Sequence, residues 1–314
     1  VTRPALPPAS RDGGRLAWIA WSAVCLIWGT TYLAIKVALA TVPPFLMGGL
    51  RYSIGGVILA GLLRLRGHAL PWSEWRTLAV LAIFMLLVGN GGVVWGEQFV
   101  SSGLTAVLIA TSPFWMVSVN AMVTKGRQLQ VRQWTGLVIG FLGIVLLVWP
   151  DIASSGKTGW GLVAGLVSVQ AACAGWAIGS SYTRRHVVPK DVLGSAAMQM
   201  LFGGLYMLVV GSLLGEWRGL SFTPRTSLAL AYLSLAGSVV AFAAYSYALQ
   251  HLEIAVVSLY TYINPIIAVA LGTLFLGEPF HARMLVAGAV IVIGIVAVGP
   301  ASADEGGART PSEL

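Results

Sequence analysis

The chain has 314 residues, of which 57% are hydrophobic and only 10% charged, with a mean hydropathy of +0.83. A soluble domain carries about 25% charged residues, so this balance excludes one and predicts an all-α integral membrane protein. The formal charge of +8 does not make a nucleic-acid surface, because Lys and Arg fall between hydrophobic runs, and Cys25 and Cys173 sit inside apolar runs, supporting neither a disulfide framework nor a metal site.

Taken in order, the apolar runs predict ten transmembrane helices at about 16–38, 44–63, 76–97, 103–123, 132–149, 159–182, 193–214, 227–250, 255–275 and 283–299. Residues 1–15 and 301–314 read as cytoplasmic tails, too polar or too rich in Pro, Arg and Gly to fold alone. The first run is too long for a removed signal peptide and has no small-residue cleavage site. Outside the tails, Pro43, Pro44, Pro71, Pro150, Pro189, Pro224, Pro279 and Pro300 all fall at span boundaries, leaving Pro113 and Pro265 alone in mid-span.

The run from Ala255 to Phe275 shows what such a proline does. At 1.5 Å per residue it spans roughly 31 Å, the thickness of a bilayer core. Pro265 removes an N–H near its middle and frees a carbonyl that lipid cannot satisfy, so the break belongs in a protein interior or a cavity. The run from Leu104 to Val123 places Ser112-Pro113 at the depth of Asn264-Pro265, 152 positions earlier. Both prolines are candidate hinges.

Other positions repeat too. At an offset of 148, Cys25 answers Cys173, Trp28 answers Trp176, Lys36 answers Arg184, Arg51 answers Gln199, and Gly55-Gly56 answer Gly203-Gly204; at 152, Gln98 answers Gln250. Residues 16–150 and 159–300 therefore read as two five-helix repeats joined by a periplasmic linker, 151–158. An odd number of spans per repeat inverts the second relative to the first. Substrate sites of such folds lie near the midplane, between the repeats. With the N-terminus inside, the cytoplasmic side carries thirteen Lys and Arg against five outside, which predicts cytoplasmic termini. Small-xxx-small spacings at Gly92/Gly96, Gly136/Gly140, Gly161/Gly165 and Gly175/Gly179 predict close packing, within the monomer or between copies of a homo-oligomer.

Trp28-Gly29 in the first span, Arg51 in the second, Gln98 before a helix carrying Ser112-Pro113, Asn264-Pro265, and Gly277-Glu278-Pro279 followed by Gly288 and Gly294 together resemble the EamA-type transporters of the drug/metabolite transporter superfamily. The resemblance covers about residues 16–300. It implies ten helices and, commonly, export of amino acids or related metabolites from bacteria, through the inner membrane and without a cofactor. The first half departs from the pattern, with Lys125-Gly126-Arg127 where the second has Gly277-Glu278-Pro279.

Polar groups in a bilayer are costly, so those that persist are candidate pathway residues. Asn90, Glu97 and Gln98 are spaced to share one face of the third helix. Gln250 repeats Gln98 and lies near Tyr245 and Tyr247; Tyr260, Tyr262 and Asn264 precede Pro265; Ser112 and Trp115 flank Pro113; Trp28 and Trp176 lie deep in the first and sixth spans. Walls of this kind offer stacking surfaces and hydrogen bonds without strong charge, and suit a neutral or zwitterionic solute with an apolar body. Trp18 and Trp21 read as interfacial anchors. Arg51, a permanent cation inside its span, either ties helix ends or meets a substrate carboxylate. No Asp or Glu lies at the centre of a span, which argues against proton-coupled drug efflux and leaves Glu97, near a helix end, as its one candidate. No histidine cluster or phosphate-binding loop supports an enzyme or a nucleotide-driven pump. The expected function is facilitated export of amino acids, aromatic and other hydrophobic ones included, by alternating access. The competing readings are broad drug or metabolite efflux and a membrane scaffold with no solute path.

Overall fold

The computed structural model describes residues 11–123, 135, 138–139, 142, 159–186, 191–252, 260–278 and 280–298. All but four residues of the expected fifth span, the linker 151–158, the C-terminal tail, Lys125-Gly126-Arg127 and Pro279 lie outside the described residues, as do the side chains of Pro113, Gln250 and Tyr262.

Every described element is helical. The order is α1 (Arg11–Ala38), α2 (Pro44–Leu65), α3 (Trp75–Ala82), a π-helical segment π1 (Ile83–Asn90), α4 (Gly91–Gly96), α5 (Ser102–Ile109), α6 (Ser112–Val123), α7 (Gly159–His186), α8 (Val192–Leu213), α9 (Pro224–Tyr232), a second π segment π2 (Leu233–Val240), α10 (Ala241–His251), α11 (Tyr260–Leu276) and α12 (Ala282–Val298). Among the described residues, six continuous helical stretches are long and apolar enough to cross a membrane: Arg15–Ala38, Pro44–Leu65, Trp72–Gly96, Gly159–Tyr182, Val192–Leu213 and Pro224–Tyr245. They coincide with six of the expected spans to within a few residues. α1 starts at Arg11, inside the stretch expected to be a tail, because extending an established helix costs far less than nucleating one.

Local chemistry sets the ends. Pro44 and Pro224 occupy first turns, where a missing N–H costs nothing. Asp191 caps α8 by accepting from Gly194 N at 2.9 Å, and Thr223 and Thr226 form a reciprocal cap on α9. Replacing Asp191 by Ala should cost about 1 kcal/mol, which a thermal melt in detergent would register as a small downward shift. Gly215 and Gly277 close α8 and α11 at φ of 72° and 64°, the left-handed region where a side chain is strained.

Packing is inverted relative to a soluble bundle. On α8, Leu205, Val209 and Leu213 form an exposed apolar stripe four residues apart, while Gly203, Gly204, Met207 and Gly211 face inward. α2 and α8 cross on small residues, with Gly56 against Leu201 and Gly204 against Ser53 and Gly49. α7 runs against π1 and α4 on Gly92, Gly96, Gly165 and Gly175, and Ser168 Oγ donates to Gly92 O at 2.7 Å. These glycine faces are thus used within the monomer, because only residues with little or no side chain let backbones approach this closely.

The long helices α1 and α7 each nest among elements of the other half of the chain. α1 packs on α9, π2, α10 and α11, while α7 packs on π1, α4, α5 and α6; α5 also meets α11.

Candidate functional site

Trp28 of α1 is the hub of an aromatic cluster. Its ring centroid lies 4.9 Å from Tyr260 on α11, and 5.1 Å from Tyr245 and 5.8 Å from Phe242 on α10. Tyr245 and Tyr260 meet edge to face at 6.0 Å, so ring edges are turned to neighbouring faces. All four rings are only partly buried. The indole N–H of Trp28 donates to Gly237 O at 3.2 Å, a carbonyl of π2. π segments re-space the backbone ladder and are frequent at functional sites. Here both π segments occur 150 positions apart, at equivalent places in the two halves.

Polar groups surround this cluster. Arg51, only 4% exposed, donates from Nε to Ser238 Oγ at 3.0 Å and from Nη2 to the same Gly237 O at 3.5 Å. Asn264 is buried one turn beyond Tyr260. Oriented by its neighbours, its amide nitrogen donates to Tyr260 O and Cys25 O at 3.1 Å each, and the Tyr32 hydroxyl shares a hydrogen bond with it.

A second set forms around α7. Trp115 Nε1 and Thr111 Oγ1 both donate to Gln170 Oε1, at 2.8 and 3.2 Å. Ser112 Oγ donates to Ile109 O at 2.6 Å and lies 3.5 Å from Cys173 Sγ. Trp176 rests against Gly89 of π1. The correspondence runs pairwise: Trp28 with Gly237 and Trp176 with Gly89, Cys25 with Asn264 and Cys173 with Ser112.

The third helix departs from the expected single face. α4 ends at Gly96, so Glu97 and Gln98 sit in the following turn, where helical spacing no longer applies. Glu97 is fully buried, and neither carboxylate oxygen has a hydrogen-bond partner among the described residues. Gln98 is exposed and donates to Trp95 O at 3.1 Å. Asn90 closes π1 and donates to Met85 O at 3.1 Å. The expected breaks also differ. In the first half the helix stops at Ile109 and restarts at Ser112, one turn ahead of Pro113; in the second, Pro265 stays inside α11. A proline interrupts the bond to the carbonyl four residues back, and neighbouring packing decides whether the helix parts or bends.

Near this turn lies a cluster that sequence reasoning misses. Lys36 Nζ donates to the backbone carbonyls of Glu97 and, at 2.8 Å, Val100. Glu278 accepts from Ser102 N at 2.9 Å, Ser102 Oγ at 2.8 Å and Gly103 N at 3.3 Å, capping α5 from across the chain. Glu216 does the same for α2, accepting from Leu46 N at 2.9 Å and Phe45 N at 3.3 Å. Both acids follow a left-handed glycine in a Leu-Gly-Glu triplet, 214–216 and 276–278, and that recurrence is the available signal. Tyr32, one helical turn from Trp28, has the same legibility. Gly237 and Ser238 have none, because their role depends on the π segment.

These features define an all-α, multi-pass membrane protein with polar and aromatic side chains gathered among its helices. The EamA-like transporter family matches residues 16–149 and again 163–299, and the chain belongs to that family, within the drug/metabolite transporter superfamily. It is 34% identical over 280 residues to the uncharacterized inner membrane transporter YedA of Escherichia coli, covering 88% of each chain. It is 28% identical to a chloroplastic WAT1-related protein of Arabidopsis thaliana, covering 91% of this chain and 70% of that one. A solved crystal structure at 21% identity superposes with a TM-score of 0.62 over 92% of this chain and 97% of that one, a likeness of fold. The family is one of membrane transporters rather than enzymes.

Proposed function

We propose that this chain exports amino acids, aromatic and other hydrophobic ones above all, and related metabolites across a bacterial inner membrane by alternating access. The carrying observation is the Trp28 cluster: partly buried rings beside Asn264 and Tyr32, with no carboxylate among its described members. Stacking faces next to neutral hydrogen-bonding groups suit a zwitterion with an apolar body. Movement is facilitated diffusion, driven by the solute's own gradient and needing no cofactor.

The architecture proposed for this cycle has ten spans in two inverted repeats, 16–150 and 159–300, with a periplasmic linker at 151–158 and both termini cytoplasmic. Support comes from the exchanged neighbours of α1 and α7 and from the paired π segments. Trp28, Tyr245, Tyr260 and Asn264 wall one side of the path. Asn90, Ser112, Trp115 and Trp176 wall the other, and Gln250 and Tyr262 belong to the first by their nearness in sequence to Tyr245 and Tyr260.

Uptake of labelled Trp, Phe and Met into liposomes holding the purified protein, with and without a pH gradient, tests this reading. Transport indifferent to the gradient is expected. Strong gradient dependence would overturn facilitated diffusion and direct attention to the buried Glu97, and transport of none of them would favour broader efflux. Water accessibility of cysteines placed at 250 and 264 separates a transporter from a scaffold, which should protect both, while position 98 is exposed in either case. Replacing Pro113 and Pro265 together by Ala should lower export several-fold at unchanged surface expression, because both freed carbonyls would be bonded again and the helices stiffened. Unchanged export removes the hinge role.

A further inference from the structure

Arg51 contains five N–H donors and a charge that it cannot shed. Among the described residues its hydrogen bonds reach only Ser238 Oγ and Gly237 O, two neutral acceptors, and the second is shared with Trp28. Nη1 has no hydrogen bond there. Among the described residues no carboxylate bonds to it: the oxygens of the buried Glu97 have no hydrogen-bond partner, and Lys36, beside Glu97, is a second cation. The Tyr52 ring lies 4.8 Å from Cζ and supports the charge on one face, and the donors left over call for a further acceptor, water or an anion, to complete the buried guanidinium.

Gly237 O fixes where that anion lies. Arg51 and the Trp28 indole converge on this oxygen, so the guanidinium stands beside Trp28, the hub of the ring cluster. Cation and aromatic faces are therefore adjacent parts of one site.

We propose that Arg51 is the carboxylate-binding residue of the transport site, so that the cargo class is a carboxylate attached to an apolar or aromatic body and decarboxylated amines are rejected. The assignment rests on the transport reading above and adds its polarity: carboxylate toward Arg51 and Ser238, apolar body toward Trp28 and Tyr260. A planar guanidinium matches a carboxylate in two parallel N–H···O bonds. The same fixed charge repels an ammonium that has lost its carboxylate.

The test uses the full chain in liposomes with three indole probes: tryptophan, 3-indolepropionate, which keeps only the carboxylate, and tryptamine, which keeps only the amine. In the wild type, unlabelled 3-indolepropionate should compete with labelled tryptophan and tryptamine should not. Arg51→Gln should raise the KM for tryptophan at least tenfold and abolish the preference over tryptamine, while Arg51→Lys should keep the preference at a weaker KM. Tryptamine competing as well as 3-indolepropionate in the wild type overturns the proposal, and that comparison needs no variant. So does a folded Arg51→Gln protein with wild-type tryptophan transport. Should the wild type move no amino acid, the transport reading fails, and thermal stabilisation of the detergent-solubilised protein by 3-indolepropionate decides the Arg51 site separately. A shift lost in Arg51→Gln sustains it with a different carboxylate cargo, and no shift in the wild type ends it.

Discussion

Gly204→Leu should leave little folded protein. A Cβ at Gly204 would come within 2.6 Å of the Ser53 nitrogen and 3.1 Å of the Gly49 carbonyl oxygen. Both are backbone atoms of α2 that no rotamer change can move aside. α2 and α8 therefore have to part, which pulls Gly48 away from Met207 and Gly56 away from Leu201, on turns either side of the crossing. Overpacking of a close-packed core costs about 1–3 kcal/mol where side chains can adjust. Here the obstacle is backbone, so about 3 kcal/mol or more is expected, a large share of the ordinary 5–15 kcal/mol of a folded protein. Fluorescence-detected size exclusion should show a collapsed monodisperse peak. Gly61→Ala is the matched control, since on the same helix α2 a Cβ at Gly61 meets nothing within 4 Å. It should be neutral or stabilising by about 0.5–1 kcal/mol, because Ala is the better helix former. Equal losses in the two variants would mean that the α2–α8 crossing is not a tight joint.

Glu278→Ala should release the end of α11 from the start of α5. The carboxylate accepts two backbone N–H groups and one hydroxyl at the N-terminus of α5, where the helix dipole favours a negative charge. Hydrogen bonds to a charged group are worth about 1.5–3 kcal/mol each, with the half-buried setting pulling toward the lower end. Removing the carboxylate strands the N–H groups of Ser102 and Gly103, so a drop of about 2–3 kcal/mol is expected. Glu278→Gln keeps one acceptor oxygen and should recover about half of that. Glu216→Ala on α2 should behave alike, because α2 has no side-chain cap of its own. Transport should respond in both cases, by different routes. α5 and α11 contact one another and α1, so loosening Glu278 changes how the Trp28 cluster is bounded, whereas Glu216 holds the first turn of α2, the helix that carries Arg51. A lower transport rate at equal protein level is the expected result for both variants. Unchanged transport in either would reduce that acid to a stability group.

Much of the candidate site is readable because hydrophobicity makes polar residues conspicuous. Trp28, Tyr245, Tyr260 and Asn264 stand out one at a time as costly or deep groups, and the structure brings these four to one place. Gln98 stands out on the same grounds but is exposed in a turn, because the expectation extends α-helical spacing past Gly96, where the helix has already ended. Glu278 is visible in the sequence as part of a recurring Leu-Gly-Glu triplet, but not as a cap. Its partners, Ser102 and Gly103, lie more than 170 residues away, and no local pattern names a cap supplied from that distance.

By itself, the sequence determined the membrane class, the positions of the described spans and the relatedness of the two halves, since apolar run length, proline placement and repeated residues are local properties set by the bilayer and by the backbone. Only the tertiary structure decided which residues meet. Crossing π2 with both α1 and α2 put Trp28 and Arg51 on the same carbonyl of Gly237, a meeting of three elements distant in sequence that no local pattern encodes.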